Sequence, residues 1–173
     1  MGEGVNLSGG EQSEYVFELV RDGDINECAE IIAKYVGETR ISRDTVKMRL
    51  KDPNFMTVVG KSGNKIKGLI NGLIPPSLAQ SAKIIYVVVV DQESATKGLP
   101  AILIDEFISE LRRRFPNVPA VDVDFASKDT NAVAMYSIKG FCVEGFMKDG
   151  VSGTDIVTLR RRFSQNPSRT PVA

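Results

Sequence analysis

The chain has 173 residues, with 22 basic side chains balanced by 22 acidic ones, and it contains no histidine. Zero net charge gives no field for drawing in nucleic acid or an anionic membrane surface. Without histidine, His-based triads, HExxH metalloproteases and most transition-metal sites are excluded, so no metal is expected and acid–base work falls to carboxylates, Tyr, Lys, Cys or bound water.

This length suits one domain with a full core. No apolar run is long enough to span a bilayer, and the polar start lacks the basic and apolar regions of a signal peptide, so a cytoplasmic protein is expected. Asn6 stands where a myristoylation signal wants Ser or Thr. Residues 1–13 and 164–173 are rich in Gly, Ser, Asn and Pro without periodicity and are read as tails around a domain at 14–163. Cys28 and Cys142 lie on apolar segments and are expected to be buried thiols.

Residues 15–21 read as a first strand. Asp24 then caps a helix, with Glu27 completing a capping-box-like pair and Ile25, Cys28, Ala29, Ile32 and Val36 forming the buried stripe up to Gly37. Ser42 caps a second helix that turns Val46 and Leu50 inward and closes before Pro53. Residues 55–59 and 66–74 form a hairpin around Gly63 and Asn64.

Residues 84–90, Ile-Ile-Tyr-Val-Val-Val-Val, do not alternate, which is the pattern of a strand covered on both faces. A loop over 91–100 follows, and then Ile104, Phe107, Ile108, Leu111 and Phe115 recur at helical spacing. Pro100 suits the first turn of that helix, and Arg112, Arg113 and Arg114 complement its dipole at the other end. A loop feeding a helix N-terminus offers unpaired N–H groups, so residues 95–101 are a candidate anion site. Residues 121–125 alternate apolar and acidic side chains as a strand with one wetter face. A short helix over 130–139 and a hairpin of 141–147 with 155–163 complete the chain.

This order resembles the GNAT superfamily of N-acetyltransferases over roughly residues 15–163. Residues 88–103, through Val90, Ala95, Gly98 and Leu103, are similar to the family's acetyl-CoA signature, in which Arg or Gln is followed by two spaced glycines. Asn131, Ala134, Tyr136, Gly140 and Phe141 are similar to its closing motif, Asn-x-x-Ala followed by Tyr-x-x-x-Gly-Phe. Ala95 replaces the Arg or Gln of the signature and Pro100 its second glycine, and one lost charge-assisted bond costs about 1.5–3 kcal/mol.

The resemblance implies an α/β (α+β) fold with a mixed, mostly antiparallel sheet of about seven strands and about four helices. It implies an enzyme that moves acetyl from acetyl-CoA to an amine. The strand's Val88 and Val90 would meet the pantetheine arm, while Ala95, Thr96, Lys97, Gly98, Pro100 and Ala101 would surround the diphosphate and Asn131 would line the site. Tyr136 would protonate the departing thiolate, and Glu93 or Asp122, with Asp124 nearby, are the carboxylates placed to act as base.

Other readings stand beside this one. Asp122 and Asp124 also fit plain solvated alternation, and the arginine runs lack the interleaved aromatics of a nucleic-acid patch. The departures at Ala95 and Pro100 fit a non-catalytic acyl-CoA-binding module, and the C-terminal hairpin fits a homodimer interface. Acceptor side chains such as Tyr35, Arg40 and Arg43 show no diagnostic charge pattern.

Overall fold

A computed structural model describes residues 14–36, 41–77, 80–150 and 153–164. Residues 1–13, most of the expected C-terminal tail, Gly37 and Arg40 lie outside the described residues. The elements are β1 (Val16–Leu19), α1 (Ile25–Val36), α2 (Arg43–Lys51), β2 (Phe55–Ser62), β3 (Lys65–Leu73), β4 (Ala82–Val89), α3 (Gln92–Thr96), α4 (Leu99–Arg114), β5 (Ala120–Ala126), α5 (Thr130–Ile138), β6 (Cys142–Met147) and β7 (Ile156–Arg162). All seven strands form one sheet in the order β1-β2-β3-β4-β5-β7-β6. Its neighbours are antiparallel except β4 and β5.

Two apolar cores lie on opposite faces of this sheet. On one, α4 and Tyr136 of α5 pack with Val58, Ile70, Ile84, Val121, Val123 and Leu159. On the other, Cys28, Ala29 and Ile32 of α1 and Val46 and Leu50 of α2 cover Val59, Leu69 and Val88. The doubly apolar run of β4 is thus explained: each face of that strand meets a different core.

Several local expectations are corrected. Asp24 does not cap α1; a 3-10 turn over Asp22–Asp24 precedes the helix, and the Asp24 carboxylate accepts from Arg21 N–H at 3.2 Å and from Lys61 at 2.7 Å. Glu27 instead accepts from Ile66 N–H across the domain at 3.3 Å. The stretch read as a loop contains α3, because Asp91 caps that turn by accepting from Ser94 N–H at 2.8 Å. Cys142 is exposed, since it lies on the edge strand, whereas Cys28 is buried and its thiol is pushed up to about 12 by desolvation. Ser42 does cap α2, accepting from Thr45 N–H at 3.2 Å.

The close seat of α4 on the sheet depends on two glycines of β3. A Cβ on Gly68 would lie 3.0 Å from Leu99 and Leu103, and one on Gly72 would lie 2.4 Å from the buried Phe107 ring. Gly72→Ala therefore overpacks the core and is expected to cost about 1–3 kcal/mol in urea unfolding. Combining it with Phe107→Leu should cost less than the sum of the two single changes, since both act on the same contact.

Candidate active site

Strands β4 and β5 run parallel and pair only at Ala82 with Val121, Lys83 with Asp122 and Ile84 with Val123. Beyond that point β4 continues to Val89 and β5 to Ala126 without pairing each other. The parting begins at a bulge: on β3, Asn71 faces Tyr86 and Gly72 faces Ile84, which leaves Ile85 as an extra residue on β4. A bulge bends its strand and increases its twist, so β4 swings from β5 one residue after their last shared pair. The bulge also reverses the faces of β4, since Ile84, Val87 and Val89 join the α4 core while Tyr86 and Val88 join the α1 core.

Hydrogen-bond phase decides which backbone groups look into the gap. Val90 N–H donates to Lys67 at 2.8 Å, so Val88 and Tyr86, two and four residues earlier, also turn toward β3. Val87 and Val89 turn the other way. On β5, Ser127 N–H donates to Asp155 at 2.8 Å, which commits the odd residues to β7 and leaves Asp124 and Ala126 facing β4. The Ala126 carbonyl is taken by Asp129 N–H at 2.9 Å, so the groups that confront each other across the unzipped boundary are those of Val87 and Val89 on β4 and those of Asp124 with the N–H of Ala126 on β5. The gap-facing groups expected at Val88 and Val90 belong to Val87 and Val89, and the carbonyl of Val90 accepts instead from the Tyr35 hydroxyl on α1.

At the open end of β4 the chain turns through α3 into α4. Gly98 joins the two helices with φ of +81°, and a Cβ there would meet nothing within 4 Å, so its surface is open. The amides of this turn are less available than a loop would make them. Ala95 N–H donates to Asp91, Lys97 N–H to Glu93, Gly98 N–H to Ala95 and Ala101 N–H to Gly98, over 3.0–3.2 Å. Pro100 has no N–H, and Leu99 N–H has no acceptor among the described residues. Lys97 supplies the local positive charge. Its ammonium meets Glu93 at 2.7 Å and Glu14 at 2.9 Å, two contacts that hold it protonated far above neutral pH. Thr96 is exposed and donates to the carbonyl of Glu93 at 2.8 Å.

Tyr136 lies on the α4 side of the gap and is 2% exposed, with its ring 4.9 Å from that of Phe125 and 5.0 Å from that of Phe141. Its hydroxyl has no hydrogen-bond partner among the described residues, where no buried side-chain oxygen or nitrogen is left unpaired. The ring is therefore core and the oxygen touches solvent. Burial pushes the phenol well above its usual range, so it keeps its proton. Asn131 is exposed on the first turn of α5.

The candidate bases are all engaged. Both oxygens of Asp122 hold Arg160, at 2.7 and 2.8 Å. Asp124 meets Lys83 and accepts from Thr158 at 2.7 Å; desolvation would raise its carboxyl, yet these partners outweigh it and the net direction is down. Glu93 is held low by Lys97. Sequence reading missed Val87, Val89 and Tyr35 in their present roles. A one-residue bulge leaves no signal in an unbroken apolar run, and it sets which valines look outward.

No family model matches this chain, and no curated protein matches it. Its structure is similar to the ribosomal-protein-S18-alanine N-acetyltransferase from Escherichia coli, with a TM-score of 0.72 at 16% identity over 90% of this chain and 98% of that one. It is also similar to Ard1 from Thermoplasma volcanium, with a TM-score of 0.71 at 18% identity over 86% and 97%. A spermidine N-acetyltransferase chimera from Vibrio cholerae superposes with a TM-score of 0.70 at 16% identity over 87% and 96%. The chain therefore has the fold of the GNAT N-acetyltransferases, with seven strands and, among the described residues, five α-helices. No helix among the described residues is long and apolar enough to cross a membrane.

Asp91 ties the turn to the sheet, accepting from Ser94 N–H and from Lys67 at 3.0 Å, and these bonds depress its carboxyl from 3.8 to about 2. A depressed acid stabilises the fold above its unfolded pKa, and that contribution is lost as pH falls through the folded one. Asp91→Asn should lower the thermal midpoint relative to the parent above about pH 4, and the gap should close between about pH 4 and pH 2.

Proposed function

With that fold as premise, we propose that the protein is a cytoplasmic N-acetyltransferase that moves an acetyl group from acetyl-CoA to an amine. The single observation that carries this reading is the unzipped boundary between β4 and β5, where Val87 and Val89 face Asp124 and the N–H of Ala126, while the Ala126 carbonyl is taken by Asp129 N–H at 2.9 Å. Pantetheine is a chain of two amides and fits such a slot as an added strand would. The open surface at Gly98, the dipole of α4 and the charge of Lys97 favour a diphosphate at the same end of β4. Ala95, Thr96, Pro100 and Ala101 shape that turn, although Pro100 brings no donor.

Acetyl-CoA supplies an activated acyl group as thioester. The amine nitrogen adds to its carbonyl carbon, the carbon–sulfur bond breaks, and the leaving sulfur takes the proton that burial keeps on the Tyr136 oxygen. Because Asp122 is locked on Arg160 and Glu93 on Lys97, no proton abstraction is assigned to either. An amine that arrives neutral needs positioning more than a base; its own lost proton passes to water, and water returns a proton to the Tyr136 oxygen.

Calorimetric titration with acetyl-CoA is expected to show binding, weakened roughly tenfold by Lys97→Ala. Tyr136→Phe should leave that affinity unchanged and lower kcat about 10²-fold with a reactive amine. The parent's rate should rise with pH as the amine deprotonates, without an alkaline fall below about pH 10. No heat at saturating acetyl-CoA would overturn the reading, while binding without thiol release across an amine panel would reduce it to an acyl-CoA-holding module.

A further inference from the structure

Strand β6 forms one edge of the sheet, and its corner is unusually apolar. Ile138 is 84% exposed, Val143 63%, Phe146 61% and Met147 60%, four of the seven large hydrophobics exposed among the described residues. Val143 and Phe146 lie on one face of β6 and Met147 on the other, and large apolar side chains exposed together at a sheet edge mark a contact site.

A second bulge organises this edge. Val143 is opposite Leu159 and Gly145 is opposite Thr158, so Glu144 is the extra residue. Val143 and Phe146 consequently line up with Leu159 and Val157, both buried, and share the face of the sheet that α5 covers. Since β7 commits its odd residues to β5, its bonds to β6 go to Cys142, Gly145 and Met147, and the backbone groups of Val143 and Phe146 point away from the sheet. Glu144 is drawn aside by Arg160 and Arg162, so the only acid of the strand is neutralised within its own chain.

We propose that the free edge of β6 is the contact surface for a second copy of this chain, paired antiparallel about a twofold axis with Val143 opposite Phe146. An ordinary strand offers outward groups at every second residue, whereas β6 offers them three residues apart, at Val143 and Phe146. Another β6 carries the same bulge and hence the same spacing. In that register Cys142 lies opposite Met147, Val143 opposite Phe146 and Glu144 opposite Gly145, which puts apolar residues against apolar residues and the acid against the smallest residue. This inference does not depend on acetyl transfer.

The test is the solution mass of the full chain by sedimentation across a concentration series, with covalent capture of the register. The expected result is a species of twice 18.9 kDa. Phe146→Glu should weaken association at least ~30-fold, with Val143→Thr shifting it in the same direction by less and both keeping the parent's circular dichroism. Mild oxidation of the Met147→Cys variant should give a disulfide-linked dimer through Cys142, because directly opposed residues lie within disulfide reach. A monomer at every concentration, which would leave the patch for a different protein or for this chain's own tail, overturns the proposal. A dimer that ignores Phe146→Glu, or that fails to cross-link, overturns it equally.

Discussion

The extra residue at Ile85 is the constraint on which the rest of the site depends. A parallel pair buried between two helical layers has every reason to remain zipped, because an unpaired backbone amide in an apolar interior costs as much as a lost hydrogen bond. The bulge makes separation the lower-energy course by bending β4 before its ladder with β5 can continue. Phe107 pressed on Gly72, directly across from the bulge, keeps that bend from relaxing toward α4. On the other face, Tyr35 of α1 holds the carbonyl of Val90 and draws the far end of the strand toward its own layer. The gap is thus built from packing and strand geometry.

That origin accounts for the electrostatic quietness of the surroundings. Lys67 with Asp91, Lys83 with Asp124, Lys97 with Glu93 and Glu14, and Arg160 with Asp122 are each satisfied locally. Partly exposed pairs of this kind contribute little to stability, but they orient side chains and cancel charge. A site made from backbone dipoles tolerates the loss of a signature arginine at Ala95 better than one made from side chains would. Lys97 is the exception, because any diphosphate must compete there with two carboxylates.

Much of this architecture was legible in the residues. Apolar patterning located all seven strands, Ser42 marked the start of α2, and the Tyr136-to-Phe141 motif pointed to α5 and its turn. What escaped was whatever depends on one-residue shifts. Asp24 read as a cap because its spacing to Glu27 was right, yet a turn beginning at Asp22 and the pull of Lys61 redirected both carboxylates. Val88 and Val90 read as the gap-facing residues because nothing in a run of four valines reports ladder phase. Asp122 read as a possible base until its partner on β7, thirty-eight positions away, came within reach.

Two of the three bulges in the described sheet, those at Ile85 and Glu144, perform one physical operation in different settings. Each changes the phase of a ladder and so turns outward backbone groups that a regular strand would present at other positions. Inside the sheet this produces a slot whose walls do not pair with each other, the opening in which pantetheine is proposed to lie. At the edge it produces an outward spacing that regular strands do not match, which is a defence against indiscriminate pairing and, in the proposed dimer, a match to a like partner. An edge that was only protected would be expected to carry polar side chains. Val143, Phe146 and Ile138 instead leave this one apolar, and that combination of guarded backbone with exposed hydrophobic surface is intelligible if the edge is meant to be covered by one specific neighbour.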